Sequence, residues 1–223
     1  MPLKAIHRDT GEPIYIFNYR YRQEIDLQLK PLGHQGFLRC ANPDCQAELF
    51  VRNGAVVTPH FAHKTKQCQS QYEHCPESLE HERGKVLVGE HIRSTFAEWA
   101  NVEIEYEVPI SSMKRIADTV AWFKNGILQA HEVQLASITT EKLHQRTLDY
   151  YEEGIDVQWW FGGKADTAAN RQWAFETFGC VNLIENERIY TSNTYVLSEE
   201  SFEHDEFENT SYHVEVKREE LPL

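Results

Sequence analysis

The chain has 223 residues, 41% of them hydrophobic and 12% aromatic, which allows a packed core and excludes wholesale disorder. No stretch approaches the ~20 consecutive apolar residues of a membrane-spanning helix, and the opening MPLKAIHRDTGEPIYIF lacks the apolar run and small-residue site of a secretory leader, so a cytoplasmic protein is expected. The formal charge of −13 is uneven: residues 181–223 hold eleven acidic and three basic side chains, so the first 180 carry only −5, and a local basic surface is not excluded.

Residues 13–22, PIYIFNYRYR, are rich in β-formers and predict a strand. Residues 36–63 read as a compact, turn-rich module. It comprises GFLRC, the turn ANPDC, the strand ELFVR, the hairpin signal Asn53-Gly54, AVVTP and HFAH. Four of the five cysteines, Cys40, Cys45, Cys68 and Cys75, fall within 36 residues alongside histidines. An odd count in a cytoplasmic chain points to metal rather than disulfides.

Cys40 and Cys45 flank a four-residue turn, at the upper end of the usual knuckle spacing, and His60 and His63 follow as H-x-x-H. Two thiolates and two imidazoles suit a tetrahedral Zn²⁺, which would supply the folding energy of a module too small for its own core. Cys68, His74, Cys75 and His81 form a second group. They offer an alternative ligand or a second ion, or are ordinary side chains of a loop-rich segment. Cys180 reads as a core thiol. Arg39, Arg52, Lys64 and Lys66 surround the module and are candidate phosphate contacts.

From Ser78 the spacing of Leu79, Val86, Val88, Ile92 and Phe96 predicts a helix capped by Ser78. VEIEYEVPI alternates cleanly as a strand, and RIADTVAWF and ILQAHEVQLAS follow as a hairpin turning at Asn125-Gly126. ITTEKLHQRTLDYYEEG reads as a helix with a threonine cap and Gly154 as its stop. IDVQWWFGG is an apolar strand in which Trp159, Trp160 and Phe161 are core, RQWAFETFG a further helix, and ERIYTSNTYVLS a late hairpin. The segment from LSEESFEHDEFEN onward reads as a solvated acidic linker or tail. The order helix, three strands, helix, strand makes an α/β protein with a mixed sheet flanked by helices.

Asp118 and Glu132 sit inside the two hairpin strands. Closure near Asn125-Gly126 makes them cross-strand neighbours, with Gln134 on the same face as Glu132. Two like charges there repel and are costly to bury. A hard divalent cation such as Mg²⁺ resolves the conflict, because it takes carboxylate, water and phosphate oxygens. The alternative is a solvated face of an ordinary hairpin. The flanking Ile116, Ala117, Val120, Trp122, Leu128, Ala130 and Leu135 argue against it.

In order along the chain, HFAH at 60–63, Glu77 to Lys85 in ESLEHERGK, YEVPI, RIADTVAW, HEVQLASI, KLHQRTLDYY and GIDVQWWFGG resemble the competence protein CoiA-like family, within the PD-(D/E)XK nuclease superfamily. The resemblance covers roughly residues 36–163. It implies a restriction-endonuclease-like core, assigned to 77–196, behind an N-terminal strand and small zinc-binding β module at 1–76; the acidic tail, read from its charge, takes 197–223. It implies Asp118 and Glu132 as ligands of Mg²⁺ or Mn²⁺, with Gln134 in the place of the nuclease lysine. Glu80 would be the helical acid, with His81 and Lys85 on neighbouring faces, and Arg146 and Tyr150 would face the cleft or the DNA phosphates. A neutral amide at 134 orients water but carries no charge, so Lys85 or Arg146 would supply the cation. The implied activity is a metal-dependent DNA nuclease of DNA uptake, recombination or DNA processing. The alternative is a catalytically weak or inactive platform for single-stranded DNA or a recombinase, its acidic tail masking the groove or mimicking DNA.

Overall fold

A computed structural model of the chain describes residues 3–19, 21–54, 59–64, 78–96, 102–110, 112–124, 126, 128–192, 197–199, 212–214 and 219–220. The chain forms two compact units, Met1–Glu82 with Tyr106–Ala117, and Arg83–Glu105 with Asp118–Leu223. Among the described residues no helix is long and apolar enough to cross a membrane.

In the first unit, β1 (Lys4–His7) is the central strand of an antiparallel sheet between β2 (Pro13–Tyr15) and β3 (Leu38–Cys40). The strand predicted for 13–22 ends after three residues. The Ile16 N–H donates to the Leu3 carbonyl at 2.9 Å and the Tyr19 N–H to the Ile16 carbonyl at 3.3 Å, which turns the chain and buries Ile16. A helical stretch that the sequence reading missed follows: α1 (Arg22–Glu24), a π turn (Ile25–Leu29) and α2 (Lys30–His34). Pro31 and Gly33 obscure its period. Ile25 and Leu29, one turn apart, nonetheless join Leu3, Ala5, Ile16, Leu38, Leu49, Val51 and Phe61 in one core.

The strands β4 (Leu49–Arg52) and β5 (His60–His63) form the expected hairpin, Leu49 opposite His63 and Arg52 opposite His60. The connection spans residues 53–59 rather than a two-residue turn. Asn53 is used elsewhere, its amide donating to the Arg22 carbonyl and to Asp26, each at 2.9 Å.

The helix α3 (Leu79–Thr95) begins as expected, the Ser78 hydroxyl accepting the His81 N–H at 3.2 Å. After it come β6 (Val102–Ile110), β7 (Arg115–Phe123), β8 (Leu128–Gln134), α4 (Thr140–Glu152), β9 (Asp156–Phe161), α5 (Ala168–Phe178), β10 (Val181–Glu185) and β11 (Arg188–Ser192). The predicted order through β9 is the observed one. One mixed sheet runs β11-β10-β9-β8-β7-β6, with β8, β9 and β10 parallel across the helical crossovers α4 and α5. Trp159 and Trp160, adjacent in β9, point to opposite faces. Trp159 donates to the Thr147 hydroxyl of α4 at 3.0 Å, whereas Trp160 packs with Val88 and Ile92 of α3. The two helices therefore cover opposite faces, and all three residues of the Trp-Trp-Phe run are buried, as expected.

The late hairpin lies elsewhere than predicted. Residues 188–192 pair backward with β10, Ile184 opposite Ile189, around Asn186 and Glu187. Both have positive φ, 51° and 61°, as a two-residue type I′ turn requires. Of the acidic segment, only residues 197–199, 212–214 and 219–220 are among those described. They form β12 (Leu197–Glu199), paired with β13 (Tyr212–Val214), and β14 (Glu219–Glu220) at the sheet edge beside β11.

Two stability predictions follow from this packing. A Cβ at Gly162 would lie 2.6 Å from the Ile184 carbonyl oxygen and 2.7 Å from Leu135 Cδ2. Gly162→Ala is therefore expected to destabilise by about 2 kcal/mol, read as a lower urea midpoint at unchanged slope. The second concerns His131, 4% exposed, whose Nδ1 accepts the Trp160 indole N–H at 3.2 Å. The neutral ring therefore carries its proton on Nε2. Burial first, then the charge of His91, pushes its pKa down from 6.5 to about 3. The unfolded imidazole takes up a proton before the folded one does. Stability from this group is therefore complete above about pH 6.5 and declines as pH falls toward 3, by about 1.4 kcal/mol per pH unit. His131→Gln keeps an acceptor for Trp160 but does not titrate, so its stability is expected to fall less steeply between pH 6.5 and 5 in urea titrations.

Candidate functional site

The β7–β8 pairing runs from Trp122 opposite Leu128 to Thr119 opposite His131. Asp118 and Glu132 come next along each strand, on the face covered by α4. At this step side-chain oxygens stand where ladder carbonyls would. The Asp118 N–H donates to Glu132 Oε1 at 3.4 Å, and the Val133 N–H donates to Asp118 Oδ2 at 2.9 Å. Each carboxylate thus reaches the backbone of the other's strand, and both are buried, 8% and 2% exposed. The predicted cross-strand neighbourhood of these two residues is what the register delivers, around a turn in which Gly126 has φ +84°; Asn125 lies outside the described residues.

The helix α4 brings the rest of the cluster. Thr139 caps it, accepting the Lys142 N–H at 3.4 Å, which sets the phase of Arg146 and Tyr150 one turn apart on the sheet side. The Tyr150 hydroxyl donates to Glu132 Oε1 at 2.6 Å. Arg146 Nη2 forms an ion pair with Glu132 Oε2, and Nη1 donates to Gln134 Oε1 at 3.3 Å. Below the guanidinium lies the Trp159 ring, its centroid 4.7 Å away. The Gln134 amide nitrogen donates to the Ala136 carbonyl at 2.8 Å. Burial raises the Glu132 pKa, opposed next by Arg146 and reinforced by the charge of Asp118, with the Tyr150 hydrogen bond favouring ionisation. Burial and the adjacent Glu132 charge push the Tyr150 phenol upward, so it stays a donor.

Other predicted residues are placed differently. Glu80 is exposed on the first turn of α3, while the buried acid of that turn is Glu82, 3% exposed, which the sequence reading passed over. Its signal was the helical stripe 82, 85, 88, 92, which puts Glu82 and Lys85 on one side with Val88 and Ile92. Lys85 is 1% exposed, and its carbonyl accepts the Thr119 hydroxyl at 3.3 Å, beside Asp118 in β7. His81 is half-buried.

In the first unit, ligand atoms of Cys40, Cys45 and His63 all lie within 4.8 Å of one another, with Cys45 Sγ 3.5 Å from His63 Nε2. The knuckle is folded locally, the Cys40 N–H donating to the Ala47 carbonyl at 2.8 Å and the Cys45 N–H to the Asn42 carbonyl at 3.1 Å. His60 is not in this group. Three residues from His63 along β5, it projects from the strand's other side and is buried. The two histidines of the H-x-x-H motif therefore lie on opposite sides of β5, because they are on an extended strand rather than a helix. Beside the knuckle, Glu48 gathers Lys64 at 2.9 Å and Arg39 at 3.5 Å, while Arg52 is exposed. Cys180 is half-buried, its thiol pKa raised by burial. Lys66, Cys68, His74 and Cys75 lie outside the described residues.

By donor type the two clusters suit different ions. Paired carboxylates on one face fit a hard divalent cation, and two thiolates with an imidazole fit zinc.

The chain matches the family model described as "Competence protein CoiA, nuclease-like domain" over residues 77–218. It also matches the model "Competence protein CoiA, N-terminal domain" over residues 28–71. It is 34% identical over 121 residues to "Competence protein CoiA" of Bacillus subtilis (strain 168), a stretch covering 54% of this chain and 30% of that protein. No solved structure matches. The nuclease-like match takes in the whole carboxylate cluster and the N-terminal match takes in the cysteine knuckle, so the chain belongs to the CoiA-like competence protein family, with a nuclease-like domain.

Proposed function

We propose that this chain is a metal-dependent DNA nuclease of DNA uptake, recombination or processing, with Asp118 and Glu132 holding Mg²⁺ or Mn²⁺. The observation that carries this reading is their convergence, buried and on one face, with Arg146 and Tyr150 around Glu132. Such an ion, when bound, supplies Lewis acidity toward the phosphodiester and acidifies a coordinated water. The residues of the chain do the rest. Tyr150 holds the Glu132 carboxylate in place, Gln134 would orient a water, and Arg146, which lies on the carboxylates' own face, would offset charge on the phosphate, with Lys85 of α3 as the alternative cation. A restriction-endonuclease-like core agrees with the order α3, β6, β7, β8, α4, β9. Cys40, Cys45 and His63 would bind Zn²⁺, and Arg39, Arg52, Lys64 and Lys66 would contact DNA phosphates from that module.

One observation favours the second reading, a DNA-binding accessory that cuts poorly and serves single-stranded DNA or a recombinase. The Gln134 amide is turned to the Ala136 carbonyl and brings no positive charge to the carboxylates. Incubation of linear and single-stranded DNA with the protein in Mg²⁺ or Mn²⁺, against an EDTA control, separates the two. Salt-sensitive binding without cleavage selects the second reading.

A further inference from the structure

Arg146 stands where a cation is needed. Both Glu132 oxygens are occupied, Oε2 by the Arg146 guanidinium and Oε1 by the Tyr150 hydroxyl and the Asp118 N–H. A metal ion that takes Glu132 as a ligand needs one of these oxygens. The Tyr150 bond is short and its phenol fully buried, so Oε1 is the harder side to open. The Oε2 side is held by a side chain that is 25% exposed and rests on the face of Trp159. Arg146 is also incompletely satisfied there, because its Nε–H is buried with no hydrogen-bond partner. Leaving Glu132 thus costs Arg146 one strong contact and the longer bond from Nη1 to Gln134 Oε1 at 3.3 Å, and frees a planar fork of donors, a shape that matches a phosphate bidentately.

We infer that Arg146 is a displaceable internal cation: it neutralises Glu132 while the site lacks metal, competes with the divalent ion for Oε2, and on displacement turns its donors to the phosphate of the bound nucleic acid. The inference rests on the reading of Asp118 and Glu132 as metal ligands. It makes metal and DNA binding mutually reinforcing, because the ion releases the arginine that the phosphate then captures.

The test is Mn²⁺ binding to the full chain without DNA, measured by titration calorimetry and by the paramagnetic signal of free Mn²⁺. Arg146→Gln is expected to bind Mn²⁺ about tenfold tighter than wild type, the scale of one charge-assisted hydrogen bond no longer to be broken. Arg146→Lys, which keeps the charge but not the fork, is expected to fall between them and serves if the glutamine variant misfolds. A merely structural arginine predicts the opposite, since its loss would loosen the carboxylates and weaken binding. Unchanged or weaker Mn²⁺ binding in both Arg146 variants, with binding lost in Asp118→Asn, overturns the competition and leaves the carboxylate pair standing. Mn²⁺ binding that survives Asp118→Asn overturns the pair and the inference with it. A second readout is the DNA dependence. Wild-type affinity for Mn²⁺ should rise in the presence of a short oligonucleotide, and the rise should vanish in Arg146→Gln.

Discussion

Asp118→Asn is expected to reduce metal-dependent DNA cleavage by roughly a thousandfold. A divalent ion contributes several kcal/mol of transition-state charge stabilisation, and each 1.36 kcal/mol is about one decade in rate. The substitution isolates chemistry from folding. An asparagine oxygen can still accept the Val133 N–H that Asp118 Oδ2 takes at 2.9 Å, so that bond between the strands is kept while the charge is lost. Glu132→Gln is a harsher change. It leaves Arg146, already short of a partner at Nε, facing a neutral amide in a buried setting. The informative comparison is single-turnover cleavage by wild type and Asp118→Asn at equal thermal stability. Cleavage that persists in both variants at the wild-type rate would sink the metal-site reading.

Losing the knuckle ligands is expected to have an equally large effect, on folding rather than rate. Structural zinc in small modules binds with an apparent free energy of about 10–16 kcal/mol at neutral pH. A domain's whole stability is about 5–15 kcal/mol, so Cys45→Ser, or prolonged chelation, should unfold the knuckle rather than loosen it. The wild-type chain is expected to carry one zinc by elemental analysis and Cys45→Ser none. With the metal gone, Cys40 and the remaining thiols should react rapidly with a disulfide reagent. The Arg39, Lys64 and Glu48 cluster, held between β3, β4 and the end of β5, should lose its arrangement at the same time. Full secondary structure and slow thiol reactivity in the chelated protein would rule out a structural zinc.

Local features were legible from the order of the amino acids alone. Period and caps defined α3 from Ser78 and α4 from Thr139, and strict alternation defined β6. The Trp-Trp-Phe run announced a strand buried on both faces. The placement of Asp118 and Glu132 at matching distances from the turn was also legible, because hairpin register follows from the turn. The tertiary structure decided what depends on partners distant in sequence. Whether Glu132 would be neutralised, and by what, required α4 to lie across β8, which brought Arg146 and Tyr150 onto its two oxygens. Glu82 rather than Glu80 is the buried acid of α3, a choice made by packing and not by spacing to Ser78. Likewise His60 and His63 are three apart in any conformation, but only the extended form of β5 sends them to opposite sides. The helical stretch at 22–34 forms because Ile25 and Leu29 find a core contributed by β1, β3, β4 and β5, whereas its own sequence, with Pro31 inside, is a weak helix former.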